Sequence, residues 1–352
     1  MTAPAVTSML PRLQHLISAA IIIPLAACSS QPAYQERVFT GETQGTTYTV
    51  RTVAPNITPH DAQNAEKAIR ATLDLVDRLM STYRPDSQIS LFNKSASTEP
   101  FPVAPELVEI LQTAQQVSEA SNGAFDVTVA PLVRAWGFGP DGLPQPPPPG
   151  ELARIREQVG YRGLEINPAQ NTIRKTRPDI TIDLNGIAQG YTVDKLALAL
   201  DAIPFENYMI EIGGEVKARG HNARGIPWQI GVERPVPNAR EIQLILPISN
   251  TAVSTSGDYR NYRETAGVRI SHTIDPRTGR PIQHKLASVT VVNPSCTIAD
   301  AFCTAIMALG PEDGYQLALH QNLAALMLIH NGPQNFTERQ TPQFQALLIK
   351  AP

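Results

Sequence analysis

The sequence predicts an α+β fold, a mostly antiparallel sheet with packed helices. Three observations predict it. Apolar residues recur at helical spacing in five segments. Short β-branched runs fill the second half with hairpin-length connections between most of them. Helices and strands do not alternate regularly, as they would in a doubly wound sheet.

The chain has 352 residues, enough for one large domain or two ordinary ones. No internal repeat is visible, and a single domain over 37–335 is expected, with 336–352 as a C-terminal tail. The net charge of −3 gives no support for a nucleic-acid partner. Thirty-one prolines point to many irregular connections.

Residues 1–27 read as a signal peptide. Arg12 and His15 precede the apolar run "LISAAIIIPLAA", which ends before Cys28. The run is too short, and too broken by Pro24, to span a bilayer. Leu25-Ala26-Ala27-Cys28 resembles a bacterial lipobox, so Cys28 is expected to carry lipid, with 28–36 as a tether. That places the chain on the extracytoplasmic (periplasmic) side, anchored to a membrane.

Residues 37–53 alternate polar with β-branched residues and predict a strand pair or one long bent strand. Ile69, Leu73, Val76 and Met80 predict a helix over 60–81. Leu107, Ile110, Leu111, Ala114 and Val117 predict another over 104–121, ended by Asn122-Gly123. "DGLPQPPPPGE" at 141–151 reads as an exposed loop. Short strands are expected at 163–166, 172–175 and 180–183, then a helix over 186–202. Strands follow at 207–219, 228–233, 241–247 and 286–293, helices at 298–309 and 312–321, and a strand at 323–329. Cys296 and Cys303 are expected as free or buried thiols. Seven residues of helical pattern separate them too far for a disulfide.

Five segments could carry chemistry. In "IDLNGIAQGYTVD" (182–194) Gly186 and Gly190 open a helix, where backbone can approach a ligand and phosphate is favoured; an ordinary glycine-led helix start fits as well. In "EIGGEVKARG" (211–220) Gly213-Gly214 suggests a bulge or close approach, flanked by Glu211 and Glu215. "STSGDYRNY" (254–262) offers hydroxyls and Asp258, though turn chemistry explains most of it. In "CTIADAFCTAIMALG" (296–310) Asp300 and Thr304 are four apart on one helical face and could give Mg²⁺ two oxygen ligands. The plainer reading makes Asp300 a helix-start acid. "SHTIDPRTGRP" (271–281) sets His272 beside an Asp-Pro turn, where a neutral imidazole could act as a base.

Together with "GTTYTV" (45–50), "MSTYRPDSQISLFN" (80–93) and "GAFDVTVAPLVRAWGFG" (123–139), these segments resemble the ApbE family of FAD:protein FMN transferases in content and order. The resemblance covers about 38–330 and implies a T-fold-like single domain. It implies cleavage of the FAD pyrophosphate, transfer of FMN to a threonine of a target protein through a phosphoester bond, and release of AMP, supported by Mg²⁺. The implied FAD contacts are Gln44, Tyr83, Ala124, Phe125, Asp126, Asp183, Gln189 and Ile274. The implied metal ligands are the Gly186 carbonyl, Asp300 and Thr304, and position 303 can also lie on the metal side. His272 would be the catalytic base. Gln44 stands where methionine is common, and Asn185 and Gln189 stand where small residues and lysine are frequent. The implied targets are membrane-associated electron-transfer flavoproteins. The same site would serve an FAD pyrophosphatase with water as nucleophile. A non-catalytic flavin-binding lipoprotein would need neither metal nor base.

Overall fold

Eight strands pair in chain order into one antiparallel sheet: β1 (Gln35–Thr43), β2 (Thr46–Ala54), β3 (Asn207–Ile212), β4 (Glu215–Arg219), β5 (Thr251–Gly257), β6 (Leu286–Asn293), β7 (Ala324–His330) and β8 (Phe336–Gln340). The computed structural model describes residues 1–2, 34–139, 146–236, 241–258, 262–265, 268–332 and 334–349. Cys28, the signal segment from residue 3 on and part of the proline-rich loop lie outside the described residues.

The expected strand pair at 37–53 is the β1–β2 hairpin, whose turn places Gln44 and Gly45 at positive φ. The expected strand at 207–219 is also a hairpin. Gly213 and Gly214 are its two-residue turn, with φ of 63° and 115°, and not a bulge inside one strand. Two successive positive φ values match the right-handed twist of the flanking strands, and glycine reaches them without strain.

The sheet's pleat sorts side chains between two faces. Val50, Ile210, Ile212 and Ala252 turn to one face and pack with Ile69, Val193 and Leu196. These come from α1 (Pro59–Met80) and α3 (Ala188–Asp201), which lie either side of α2 (Pro105–Ala120) in the chain. Val53, Val216, Ala218, Val253, Leu326 and Leu328 turn to the other face. There they meet Trp228, Val232 and Leu246 from the strand pair Trp228–Glu233 and Ile242–Ile248.

The helix α4 (Cys296–Leu309) is buried nearly all round, as a helix through a core must be. Asp300 lies in its second turn, behind the cap Ser295, so the reading of Asp300 as a first-turn dipole acid does not hold. Both thiols of α4 are buried and free.

Two further expectations need correction. Residues 180–183 do not form a strand. The Asn93 amide takes the place of a neighbouring strand, donating to the Ile182 carbonyl (2.8 Å) and accepting from the Ile182 N–H (2.7 Å). Nor is 336–352 simply a tail. β8 pairs with β7, and helix Pro342–Ile349 buries Phe344 completely in the core. Deleting a side chain of this kind typically costs about 3–5 kcal/mol.

One carboxylate ties α3, α4 and the sheet together. Asp194 of α3 accepts from the backbone N–H of Cys296 (3.1 Å) and Thr297 (3.0 Å), and from the hydroxyls of Ser295 and Thr297 (both 2.8 Å). It also pairs with Lys217 of β4 at 2.6 Å. It is therefore a cap for α4 supplied by another helix. Burial would raise its pKa, but Lys217 and the bonds from Thr297 outweigh that and hold it below the ordinary range.

Asp194→Ala is expected to destabilise the protein by about 3 kcal/mol or more, because Lys217 and four α4 donors lose their acceptor together. A lowered folded-state pKa gives stability that is present above the unfolded value and is lost as pH falls through the folded one. Urea unfolding of both proteins should therefore show a gap that is full at neutral pH and closes in strong acid. A gap independent of pH would contradict the assignment.

Candidate active site

The site grows from the contact between α3 and α4. A methyl group on Gly190 would lie 2.5 Å from the Cys296 carbonyl oxygen and 2.7 Å from Asp300 Cβ. Only glycine allows this approach, so Gly190 serves helix packing and not ligand access. The gap lets the Gly190 N–H donate to Asp300 Oδ2 at 2.9 Å. Ile187, the residue before α3, offers no side-chain cap, and Asp300 fills that role from the neighbouring helix.

One turn along α4, Thr304 Oγ1 lies 3.3 Å from the Gly186 carbonyl oxygen. A methyl group on Gly186 would sit 3.1 Å from Thr304 and 3.3 Å from Phe125. The three expected metal ligands therefore gather at the start of α3, with the Phe125 ring beside them. Asp300 is buried, and burial pushes its carboxyl up to about 7, partly opposed by the Gly190 hydrogen bond.

The expected flavin contacts fall into groups. Gln44 reaches α3 from the β1–β2 turn and donates to Thr192 Oγ1 at 2.6 Å. Gln189 lies nearby: a methyl group on Gly213 would be 2.9 Å from its Nε2 and 3.0 Å from Thr46 Cγ2. Asp183 precedes the turn that leads into α3 and accepts from the Asn185 N–H at 2.8 Å, and burial raises its carboxyl. Ala124 and Phe125 are buried after α2. Both Asp126 oxygens are engaged internally, by Thr128 N–H and hydroxyl (2.8 and 2.6 Å) and by Tyr161 N–H (2.8 Å). Asp126 thus holds the loop that presents Phe125. Tyr83 stands apart on the turn after α1, 66 % exposed.

His272 and Ile274 sit on a third element. The strands Ile274–Asp275 and Arg280–Pro281 pair, and Asp275 closes their turn by accepting from Arg277 N (2.9 Å), Nε (2.9 Å) and Nη2 (3.0 Å). Trp136 Nε1 donates to the Gly279 carbonyl at 2.8 Å and ties the hairpin to the segment after Phe125. Ile274 is buried against Leu132 and Leu152. His272 is half-buried, its ring 6.5 Å edge-on from Phe138. The segment 123–139 therefore touches Gly186 at one end, through Phe125, and His272 at the other, through Phe138.

Two participants are not among the site residues expected from the sequence. Asn93 has no motif of its own to mark it, only its place at the end of "SLFN". Glu215, seen only as a flank of Gly213-Gly214, is buried beneath α4, with Ser254 Oγ donating to its Oε1 at 3.2 Å. Position 303 adds no acid: the Cys303 thiol is 3.3 Å from the Ser254 carbonyl oxygen and 3.6 Å from that of Val289. Among the described residues no group of three or more His, Cys, Asp or Glu could hold a metal.

Asp300→Asn is expected to raise the melting temperature of the cation-free protein at about pH 7.5. A carboxyl with a raised folded-state pKa carries a charging penalty above that pKa, which disappears as pH falls to the unfolded value. The gain should shrink toward about pH 4, where the unfolded carboxyl is itself half protonated. A variant equal to or less stable than wild type at pH 7.5 in a fluorimetric melt would contradict this reading.

Known proteins share this architecture. The family model described as the ApbE family matches residues 44–327. The chain is 40 % identical over 337 residues to an FAD:protein FMN transferase of Vibrio cholerae, covering 95 % of this chain and 99 % of that protein. It is 35 % identical over 343 residues to an FAD:protein FMN transferase of Escherichia coli K12, covering 95 % and 96 %. The solved flavin transferase ApbE of Vibrio cholerae superposes with a TM-score of 0.81 at 39 % identity, over 89 % of this chain and 99 % of that one. The apo flavinyl transferase ApbE of Pseudomonas stutzeri gives 0.81 at 38 %, over 89 % and 97 %. With the match running from the β1–β2 turn to the middle of β7, and relatives alike over nearly their whole length, the chain belongs to the ApbE family.

Proposed function

We propose that this chain transfers FMN from FAD to a threonine of a target protein, through a phosphoester bond, and releases AMP. The names of its relatives support the reading. The observation that carries it is the oxygen-only cluster at the α3–α4 contact: Gly186 O, Thr304 Oγ1 and the Asp300 carboxylate, beside Phe125 and Gln189.

That donor set fits Mg²⁺, a hard cation that takes oxygen ligands from one or two carboxylates and from substrate phosphates. Asp300 Oδ2 is occupied by Gly190, while Oδ1 takes no hydrogen bond from the described residues. Bound there, Mg²⁺ would neutralise charge on the pyrophosphate and favour departure of AMP. Phe125, Gln189 and Gln44 would position FAD around the start of α3, and Tyr83 would offer an exposed aromatic face to the flavin.

The threonine oxygen attacks the FMN-side phosphorus. The bond from that phosphorus to the bridging oxygen breaks, and AMP leaves with that oxygen. His272 accepts the hydroxyl proton. The Asp275–Arg277 clamp and the Trp136 hydrogen bond keep the His272 loop from drifting, as a base must be held in place to act.

The target we infer is an extracytoplasmic or membrane-bound electron-transfer flavoprotein subunit. Cys28 would carry the lipid that holds the enzyme at the membrane. Among the described residues no helix is long and apolar enough to cross one.

His272→Ala is expected to bind FAD and Mg²⁺ but lose about 10²–10⁴-fold in transfer rate, the usual contribution of a positioned base. FAD binding and covalent FMN, measured on one preparation, check this. Lost binding with intact turnover at saturating FAD would make His272 a substrate contact, and full activity would make the stretch a mere turn. Incubation with FAD and Mg²⁺ should release AMP only together with a protein adduct. AMP with free FMN would mark a pyrophosphatase, and no AMP would mark a binding protein. Metabolic labelling with a lipid probe is expected to depend on Cys28, and equal labelling of Cys28→Ala would remove the anchor from the account.

A further inference from the structure

We propose that Glu215 supplies a second carboxylate to the cation site of Asp300, Thr304 and Gly186. The inference rests on the cation reading of that site given above.

Strand geometry aims the side chain. Val216 and Val253 face the side of the sheet away from α4. By alternation Glu215 on β4 and Ser254 on β5 face α4, as Ala252 does. The α4 residues that meet them lie on one helical face, since Cys296, Asp300 and Cys303 are four and three residues apart. Cys296 Sγ is 3.9 Å from the Val216 carbonyl oxygen, and Cys303 Sγ is 3.3 Å from that of Ser254. Asp300 lies between these two contacts, over the ground that Glu215 occupies. Ser254 Oγ fixes Glu215 Oε1. Glu215 is only 5 % exposed, yet its Oε2 is buried without a hydrogen-bond partner among the described residues.

A buried carboxylate oxygen without donor or counter-charge is costly, and proteins keep one where it serves a purpose. Glu215 and Asp300 are moreover two buried acids close enough to repel each other. A hard divalent cation removes both costs, because two carboxylates balance its charge and supply oxygen ligands. The thiols beside them are directed at backbone carbonyls and leave the ligation to oxygen.

The test is calorimetric titration of the full chain with MgCl₂, without FAD, for wild type, E215Q and D300N, each checked for folding by circular dichroism. E215Q keeps the shape and an acceptor for Ser254 but removes the charge. It is expected to weaken Mg²⁺ binding by about ten- to a hundredfold, at least as much as loss of an outer-shell partner does. Loss of affinity in D300N with unchanged affinity in E215Q overturns the role of Glu215 alone. No binding by wild type, or equal binding by D300N, overturns the cation reading and Glu215 with it. If E215Q does not fold, S254A replaces it: the carboxylate stays but its anchor goes. A several-fold loss of affinity is then expected, and unchanged affinity overturns the proposal.

Discussion

The start of α3 lies against α4 closely enough that no side chain fits at Gly190. Everything proposed for the site depends on this contact. It lets a backbone N–H reach Asp300 and sets the Gly186 carbonyl against Thr304. Two helices brought this near would expose uncapped ends to a dry interior unless something satisfied them. Asp194 does so for α4, and Asp300 does so for α3. Each helix thus carries the carboxylate that caps the other. The two caps differ in charge balance. Asp194 has Lys217 beside it and is stabilising as an anion, whereas Asp300 has no such cation among the described residues and is held against burial. That difference would separate a structural acid from the acid proposed here for the cation.

The sheet beneath contributes by its pleat. One face is given to aliphatic packing against the Trp228–Glu233 and Ile242–Ile248 strands. The other mixes Glu215, Lys217 and Ser254 into an apolar surface under α3 and α4. Such a core is less stable than an all-apolar one would be, and the cost falls where phosphates and a cation would gather. The loop bearing His272 is made rigid differently. It has little core of its own and relies on the Asp275–Arg277 clamp and on the indole of Trp136.

Long periodic segments were legible in the sequence. α1, α2 and α4 follow from the spacing of their apolar residues, and the strands of the second half from β-branched runs between turn residues. The stretch at 180–183 looked like a strand because its apolar residues alternate. Side-chain mimicry by Asn93, far away in the chain, leaves no local mark. The C-terminal stretch looked like a tail because β8 is short and polar, as an edge strand should be, and only its pairing with β7 reveals it. In the site, Asp300 and Thr304 could be paired from helical spacing alone. Gly190 can be noticed, but its reason stays open in the sequence, since a glycine for a ligand and a glycine for a helix read alike. Glu215 was beyond reach, because its importance comes from what α4 places above it.

The central claim is that the nucleophile is a threonine of another protein. Co-expression with a candidate extracytoplasmic flavoprotein, followed by mass spectrometry of its peptides, tests this most directly. The account predicts one threonine peptide heavier by FMN less water, present with the wild-type chain and absent without it. An unmodified target, with AMP and free FMN accumulating in the same sample, would contradict it.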